Sequence, residues 1–483
     1  MLKNNKNKII SVVILFILGF LVRFYGFNNP IADWHSWRQA DTSSVSRNFV
    51  NNGFDFLHPR FDDLSNVPSG INNPQGYRFV EFPVFNALQA GGFILFNFLS
   101  LEEWGRLINI FGSVFSGLFL FLIIRKRFGF LTGLLTYFFF LFLPFNIYYS
   151  RTILPDPLMV TLNLGGIYFF DKWLNKDLRL SIFNHQFILS LLFTTLAFLV
   201  KPYALFFTLP LIYLSYEKFG LSFLKKWNLW LYAVISIIPL ILWRFWISQY
   251  PEGIPASDWL FNGGNIRFKG SFFYWIFAER IGKLILGFWG IGLFILGFIA
   301  RQKKNDLLFL FSFSLSSLLY LFVIARGNVQ HDYYQILIIP SIAVYLGVGS
   351  SFLLNNKNLT NKIISYLIFA LIVLFTFFFS WYIVRDFFNI NNRSIVIAGE
   401  EIDKLIPKDA KIIANYNGDT SFLYQTKRKG WASFQNSLSQ MSLLGADYLA
   451  IISPTEKDLE IGKEYKIIKA TSDFALFNLK EKP

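Results

Sequence analysis

The stretch LINIFGSVFSGLFLFLII, residues 107–124, is followed at once by Arg125, Lys126 and Arg127. It holds no ionisable side chain, and a helix rising about 1.5 Å per residue makes it long enough to cross most of a ~30 Å hydrocarbon core. Basic residues collect on the cytoplasmic side of membrane proteins. This span is therefore read as running from outside to inside, and its direction sets that of its neighbours.

Toward the N-terminus lies a second apolar segment, Pro83 to Leu99. If it crossed, Arg125 to Arg127 would end up outside, so it is read as re-entrant or interfacial on the outer face. Asn28 to Phe82 is polar and becomes an outer loop. Ile9 to Phe27 follows Lys3, Lys6 and Lys8 and precedes no small-residue cleavage site, so it reads as a retained first span with a cytoplasmic N-terminus. Toward the C-terminus the spans alternate as Leu131–Tyr148, Leu158–Phe170, Phe187–Val200, Ala204–Leu214, Leu229–Ile247, Ile281–Ala300, Leu307–Ala325, Tyr334–Leu354 and Ile363–Val384. Lys172, Lys176, Arg179, Lys218, Lys225, Lys226, Arg301, Lys303, Lys304, Lys357 and Lys362 then fall inside, and Ser248 to Glu279 forms an outer loop.

The expected architecture is an all-α polytopic membrane domain of about 11 spans over residues 1–384, followed by a soluble extracytoplasmic α/β domain over 385–483. In that tail, Ala410–Ala414, Ala446–Ile452, Tyr465–Ile468 and Phe474–Leu479 read as strands, and Ile395–Ile406 has helical spacing before Pro407.

Composition agrees. Of 483 residues, 54% are hydrophobic, 16% are charged and 60 are Phe, against about 25% charged in soluble proteins. A cytosolic enzyme, a disordered chain and a coiled coil are excluded. The net charge of +15 follows the topology and does not point to nucleic acid. With no Cys there is no disulfide, thiolate zinc site or cysteine nucleophile. Four His residues argue against a His-rich metal site. No cofactor is required, and a carboxylate-bound divalent ion stays open.

Ionisable residues gather at the outer span ends. The first group is Asp33-Trp34-His35-Ser36-Trp37-Arg38-Gln39-Ala40-Asp41. It is either a membrane-surface helix with solvated charges or a site whose carboxylate takes a proton from an acceptor. Glu81, before Pro83, either caps the interfacial helix or belongs to the site. Arg151 and Asp156 flank an outer turn, where Asp156 is equally placed to begin a helix. Arg326, His331 and Tyr333 occupy a later turn, and Lys201 ends a span, where it either snorkels or binds. In the tail, Asp419 and Lys427-Arg428-Lys429 read as solvated surface.

The pattern resembles the GT-C superfamily of membrane glycosyltransferases. Residues 33–48, then Gly53 and His58-Pro59-Arg60, are similar to the first loop of its family 39 branch, which includes protein O-mannosyltransferases and lipid A aminoarabinose transferases. Glu81-Phe82-Pro83, Ser150-Arg151 through Asp156-Pro157, and His331-Asp332-Tyr333-Tyr334 followed by Pro340 resemble later family motifs. The adjacent acidic pair usual in that first loop is here split into Asp33 and Asp41. Spacing to His58-Pro59 favours Asp41 as the match, with Asp33 second.

The resemblance implies a polyprenyl-phosphate sugar donor and inverting transfer to a hydroxyl or amine of a glycan, glycolipid or protein. Asp41 is then the expected base and Asp156 orients the acceptor or Asp41. Arg38, Arg151, Lys201 and Arg326 stabilise the phosphate, and His35, Glu81, His331 and Tyr333 are further substrate contacts. A bacterial plasma membrane, with undecaprenyl phosphate, fits the Phe-, Ile-, Asn- and Lys-rich composition. The rival readings are a lipid-linked sugar flippase or transporter, and an oligosaccharide ligase or polymerase.

Overall fold

The computed structural model describes residues 5–176, 181–356 and 361–483. Lys3, Arg179 and Lys357, assigned above to inner clusters, lie outside the described residues. The chain forms two compact units. The first comprises Met1–Tyr25, Leu107–Leu242 and Ser257–Phe387, and the second Gly26–Arg106, Trp243–Ala256 and Phe388–Pro483. Compactness thus groups the first loop and the interfacial segment with the tail.

The first unit is helical because apolar runs in lipid must satisfy their own backbone groups. Among the described residues, six helices are long and apolar enough to cross a membrane, or seven if one bent pair counts as a span. The protein is therefore a multi-pass membrane protein. The longest helix, Leu101–Phe142, breaks at Gly129 (φ 85°, ψ 172°), just past the Arg125 to Arg127 cluster. Glycine adopts this backbone conformation without a Cβ clash, so the two apolar runs on either side remain distinct.

One expected span is corrected. Ile281–Ala300 is not a single helix: Gly270–Ile285 and Gly290–Ile299 are bent by 115°. The chain turns through Gly287 and Phe288, both at positive φ, and a Cβ on Gly287 would lie 2.4 Å from the Thr376 carbonyl oxygen. The expected outer loop Ser248–Glu279 is shorter for the same reason, since Glu279 already lies in the wide-turned helix Tyr274–Ile285.

Helices Gly290–Ile299 and Ile339–Asn355 approach closely. A Cβ on Gly349 would lie 1.9 Å from the Leu293 carbonyl oxygen, and one on Gly297 2.2 Å from that of Tyr345. Phe298 and Tyr345 stack beside this contact with ring centroids 3.8 Å apart. Small residues permit such backbone approach in membranes. Gly349→Ala is expected to lower stability by about 1–3 kcal/mol, as overpacking does. An unchanged melting temperature in detergent would contradict the contact.

The second unit contains the helices Ser36–Asn52 and Val84–Leu95 and the α/β tail. At 12 residues, Val84–Leu95 spans only about 18 Å, too little for the hydrocarbon core. The tail forms one sheet in the order β2-β1-β3-β5-β4. Its strands are β1 Lys411–Asn415, β2 Lys429–Trp431, β3 Tyr448–Ile452, β4 Lys466–Ala470 and β5 Phe474–Asn478. β1 pairs in parallel with β2 and β3, while β5 runs antiparallel to β3 and β4.

Helix Arg393–Leu405 buries Ile395, Ala398, Gly399 and Ile402, the stripe expected at helical spacing. Its core includes Ile412, Ala414, Ala450 and Leu476. The opposite core gathers Ile413, Trp431, Leu449 and Phe477 with Leu64 from the first loop. That loop also covers the β2 edge, through Leu64 N–H to Gly430 O at 2.7 Å and Gly430 N–H to Asp62 O at 3.0 Å. The edge is thereby shielded from pairing with another chain.

The basic run is corrected in part. Arg428 is buried and donates to Asp403 at 2.7 Å and to the Pro407 and Ile406 carbonyls at 2.6 and 2.8 Å. A buried guanidinium is stable only when partnered in this way.

Candidate functional site

In the second unit, His35 adopts a left-handed conformation (φ 54°, ψ 35°) and starts helix Ser36–Asn52. This helix departs from the solvated surface reading. Arg38, Gln39, Asp41, Ser43 and Asn48 are buried, and such groups are retained inside a protein only when hydrogen-bonded.

Their partners come from distant sequence. Asp41 Oδ2 accepts from Arg78 Nη2 at 2.6 Å, and Asp41 Oδ1 accepts from Thr420 Oγ1 at 2.7 Å. Arg38 Nη2 donates to Glu81 Oε1 at 2.5 Å, so Glu81 is an ion-pair partner. Gln39 Nε2 donates to Asp33 Oδ1 at 2.7 Å. Arg47 pairs with Asp62 and lies 4.0 Å from the centroid of the Tyr424 ring. Tyr424 in turn donates to Glu102.

Burial raises carboxyls in this cluster. Asp63 is pushed up to about 6, against hydrogen bonds from Ser65 and reinforced by the Asp41 charge. Asp419 is raised by burial and by Asp41, opposed by bonds from Ser421. The Asp41 carboxylate therefore lies within electrostatic reach of two others. Burial, with Glu102 beside it, also raises the Tyr424 phenol.

Because the folded state holds the Asp63 proton more tightly than the unfolded chain, stability is greatest below the unfolded value of 3.8 and falls as pH rises through about 6. We expect unfolding free energy to drop by about 2–3 kcal/mol across pH 4–6, and Asp63→Asn to remove most of that slope. Parallel profiles for the two proteins would refute it.

In the first unit, helix Pro155–Lys176 carries Asp156 in its first turn. Lys201 follows the helix His185–Val200. It does not snorkel: its side chain is 8% exposed and its Nζ donates to Asp156 Oδ1 at 2.6 Å. The same ammonium lies 5.7, 5.7 and 5.4 Å from the ring centroids of Tyr203, Tyr333 and Tyr334, a cation–π cage. Tyr149 donates to Asp332, and Arg280 approaches that carboxylate at 3.7 Å. Arg151 is fully buried with its guanidinium 5.0 Å from the Tyr148 ring centroid. His331 stacks on Tyr333 and Tyr334 at 5.6 and 6.2 Å. Arg326 is partly exposed on the short helix Ala325–Gln330.

The first unit thus gathers Asp156, Lys201, Tyr333 and His331, while Asp33, Arg38, Asp41 and Glu81 share the second unit around helix Ser36–Asn52. Arg78, Thr420, Tyr149, Asp332 and Arg280 complete these networks and were not singled out from sequence. Asp332 stood inside a quoted motif, and Arg78 three residues before another. Nothing local to Thr420 marks it. Among the described residues, no group of three or more His, Asp or Glu side chains is arranged to hold a metal ion.

Residues 80–246, about a third of the chain, match the family described as dolichyl-phosphate-mannose-protein mannosyltransferase. No curated protein matches the sequence. Among solved structures, ArnT from Cupriavidus metallidurans bound to undecaprenyl phosphate is similar with a TM-score of 0.67 at 12% identity, over 97% of this chain and 98% of that one. The oligosaccharyltransferase of Archaeoglobus fulgidus in its apo form is similar at 0.60 and 13% identity, over 94% and 70%. Archaeal AglB from Archaeoglobus fulgidus, in complex with an inhibitory peptide and a dolichol-phosphate, is similar at 0.54 and 14% identity, over 97% and 74%.

Proposed function

We propose that this chain, which has the fold of the GT-C membrane glycosyltransferases and a segment matching a mannosyltransferase family, transfers a sugar from a polyprenyl-phosphate donor to an acceptor hydroxyl or amine. Asp41 is the general base. The acceptor's proton passes to its carboxylate, the acceptor atom bonds to the anomeric carbon, and the bond from that carbon to the phosphate oxygen breaks. The phosphate leaves as a stable anion, so no general acid is needed, and attack from the opposite side inverts the centre.

The observation that carries this reading is the setting of Asp41. It is buried, and each carboxylate oxygen is held by a donor, Arg78 or Thr420. Each oxygen keeps a further lone pair for a proton, and a rigidly held base is what proton transfer rewards. Asp33 is the second choice for base. Asp156 orients through Lys201. Lys201, Arg38, Arg151 and Arg326 are assigned to the phosphate, and His35, Glu81, His331 and Tyr333 to substrate contacts.

The proposed setting is a bacterial plasma membrane, with undecaprenyl phosphate as the lipid and a glycan, glycolipid or protein as acceptor. In that topology the six long helices, the second arm beyond the break at Gly129, the bent pair Gly270–Ile285 and Gly290–Ile299 taken as one crossing, and the helices Pro155–Lys176, His185–Val200 and Pro202–Thr208 with Leu209–Phe219 give 11 spans, with the N-terminus inside and the tail outside. The test is mass spectrometry of envelope glycans and glycolipids in a strain lacking the gene. Loss of one sugar, restored by the intact gene, supports transfer. Unchanged glycans with lipid-linked sugar retained inside would overturn it in favour of a flippase.

A further inference from the structure

We propose that the tail completes the reaction centre, with Thr420 as a positioning residue for Asp41; this rests on the reading of Asp41 as the base. Thr420 precedes helix Ser421–Thr426 at its N-cap position. A threonine there ordinarily bonds the helix's own N–H groups. Here it makes no such bond. Its hydroxyl is directed instead to Asp41 Oδ1 at 2.7 Å, with the Trp37 carbonyl further away at 3.1 Å.

The preceding turn holds Thr420 in this orientation. Asn417 and Gly418 both have positive φ, and the Tyr416 and Gly418 N–H groups donate to the Ala432 carbonyl at 2.9 and 3.1 Å. Asp419 Oδ1 accepts from Ser421 N at 2.8 Å and fixes the start of the helix. Further along, the Tyr424 hydroxyl lies 3.0 Å from Ser43 Oγ and donates to Glu102, while Arg47 donates to the Tyr424 carbonyl at 3.0 Å. The short helix is thereby tied to Ser36–Asn52 by polar contacts at both ends. A partly buried hydroxyl aimed at one oxygen of a buried carboxylate sets the rotation of that carboxylate, and so the direction in which its free lone pair points.

The test uses full-length protein returned to a strain lacking the gene, and reads the envelope sugar that deletion removes. Thr420→Val keeps the shape and removes the hydroxyl. Thr420→Ser keeps the hydroxyl and removes a methyl group. Thr420→Ala repeats the loss with a smaller side chain, should the valine variant fail to fold. We expect product to fall about tenfold or more in the valine and alanine variants and to stay within about threefold in the serine variant. Melting temperature and binding of undecaprenyl phosphate by the purified proteins should be unchanged. Full product from the valine variant, or equal losses in valine and serine variants, would overturn the proposal. Asp41→Asn is run beside them. If it loses product while the valine variant keeps it, only the role of Thr420 fails. If it keeps full product, the base assignment fails and the role of Thr420 with it.

Discussion

Asp41→Asn is expected to reduce sugar transfer by about 10²–10⁴-fold, the range a general base contributes. An amide of the same shape cannot take up the acceptor's proton. The replacement is mild for the fold. The Asn oxygen can accept from Arg78, and its amino group can donate to the Thr420 hydroxyl, which accepts as readily as it donates. Losing one charge-assisted bond to Arg78 should lower unfolding free energy by about 1–3 kcal/mol, so a melting curve run in parallel separates lost chemistry from lost structure. Asp33→Asn is the companion. Asp33 accepts from Gln39 at 2.7 Å, and its removal is expected to have the smaller effect. A folded Asp41→Asn protein with full activity would sink the assignment, and a reversed order of the two variants would transfer it to Asp33.

Lys201→Met should act on stability and on donor binding together. Asp156 is fully buried and accepts from Lys201 at 2.6 Å. Removing the ammonium strands that charge, which in buried pairs typically lowers stability by about 3–5 kcal/mol. Replacing both residues by apolar ones of similar size is often neutral, so Asp156→Leu with Lys201→Met should recover most of the melting temperature. Recovery should not extend to the ligand. If Lys201 holds the donor phosphate, both the single and the double variant should bind undecaprenyl phosphate at least about tenfold more weakly, the scale of one charge-assisted contact. Binding restored in the double variant would remove Lys201 from the phosphate site and leave it a structural partner of Asp156.

Much of this was legible in the chain because the signals were periodic or punctuated. The basic cluster at Arg125 to Arg127 separated two apolar runs, and the helix is broken beside it at Gly129. The tail's alternating stretches anticipated β1, β3, β4 and β5 to within a few residues, while β2 was missed because Lys429–Trp431 has three residues and too little pattern. The bend at Gly287 was invisible because the run Ile281–Ala300 is apolar throughout apart from Lys283, and the backbone that leaves no room for a side chain at the turn, that of Thr376, lies far along the chain. In the sites, acids at span ends were legible one by one, but their partners were not. Arg78 and Thr420 meet Asp41 across 37 and 379 residues, separations over which no local spacing carries information. The surface reading of Arg428 failed similarly, since charge in a sequence does not reveal that Asp403 and two carbonyls enclose it.

The second unit draws on three separate stretches, the last being Phe388–Pro483, and that has a consequence for biogenesis. With 379 residues between Asp41 and Thr420, and synthesis at about 5–20 residues per second, helix Ser36–Asn52 waits roughly 20–80 s for its last partners. Over that interval Ser43 and Arg47 lack Tyr424, and the β2 edge that the loop around Leu64 covers does not yet exist. A ribosome that stalls late, or a stop codon before Thr420, would leave a chain with its membrane helices made and helix Ser36–Asn52 without Thr420 and Tyr424, the kind of half-finished surface that quality-control proteases remove.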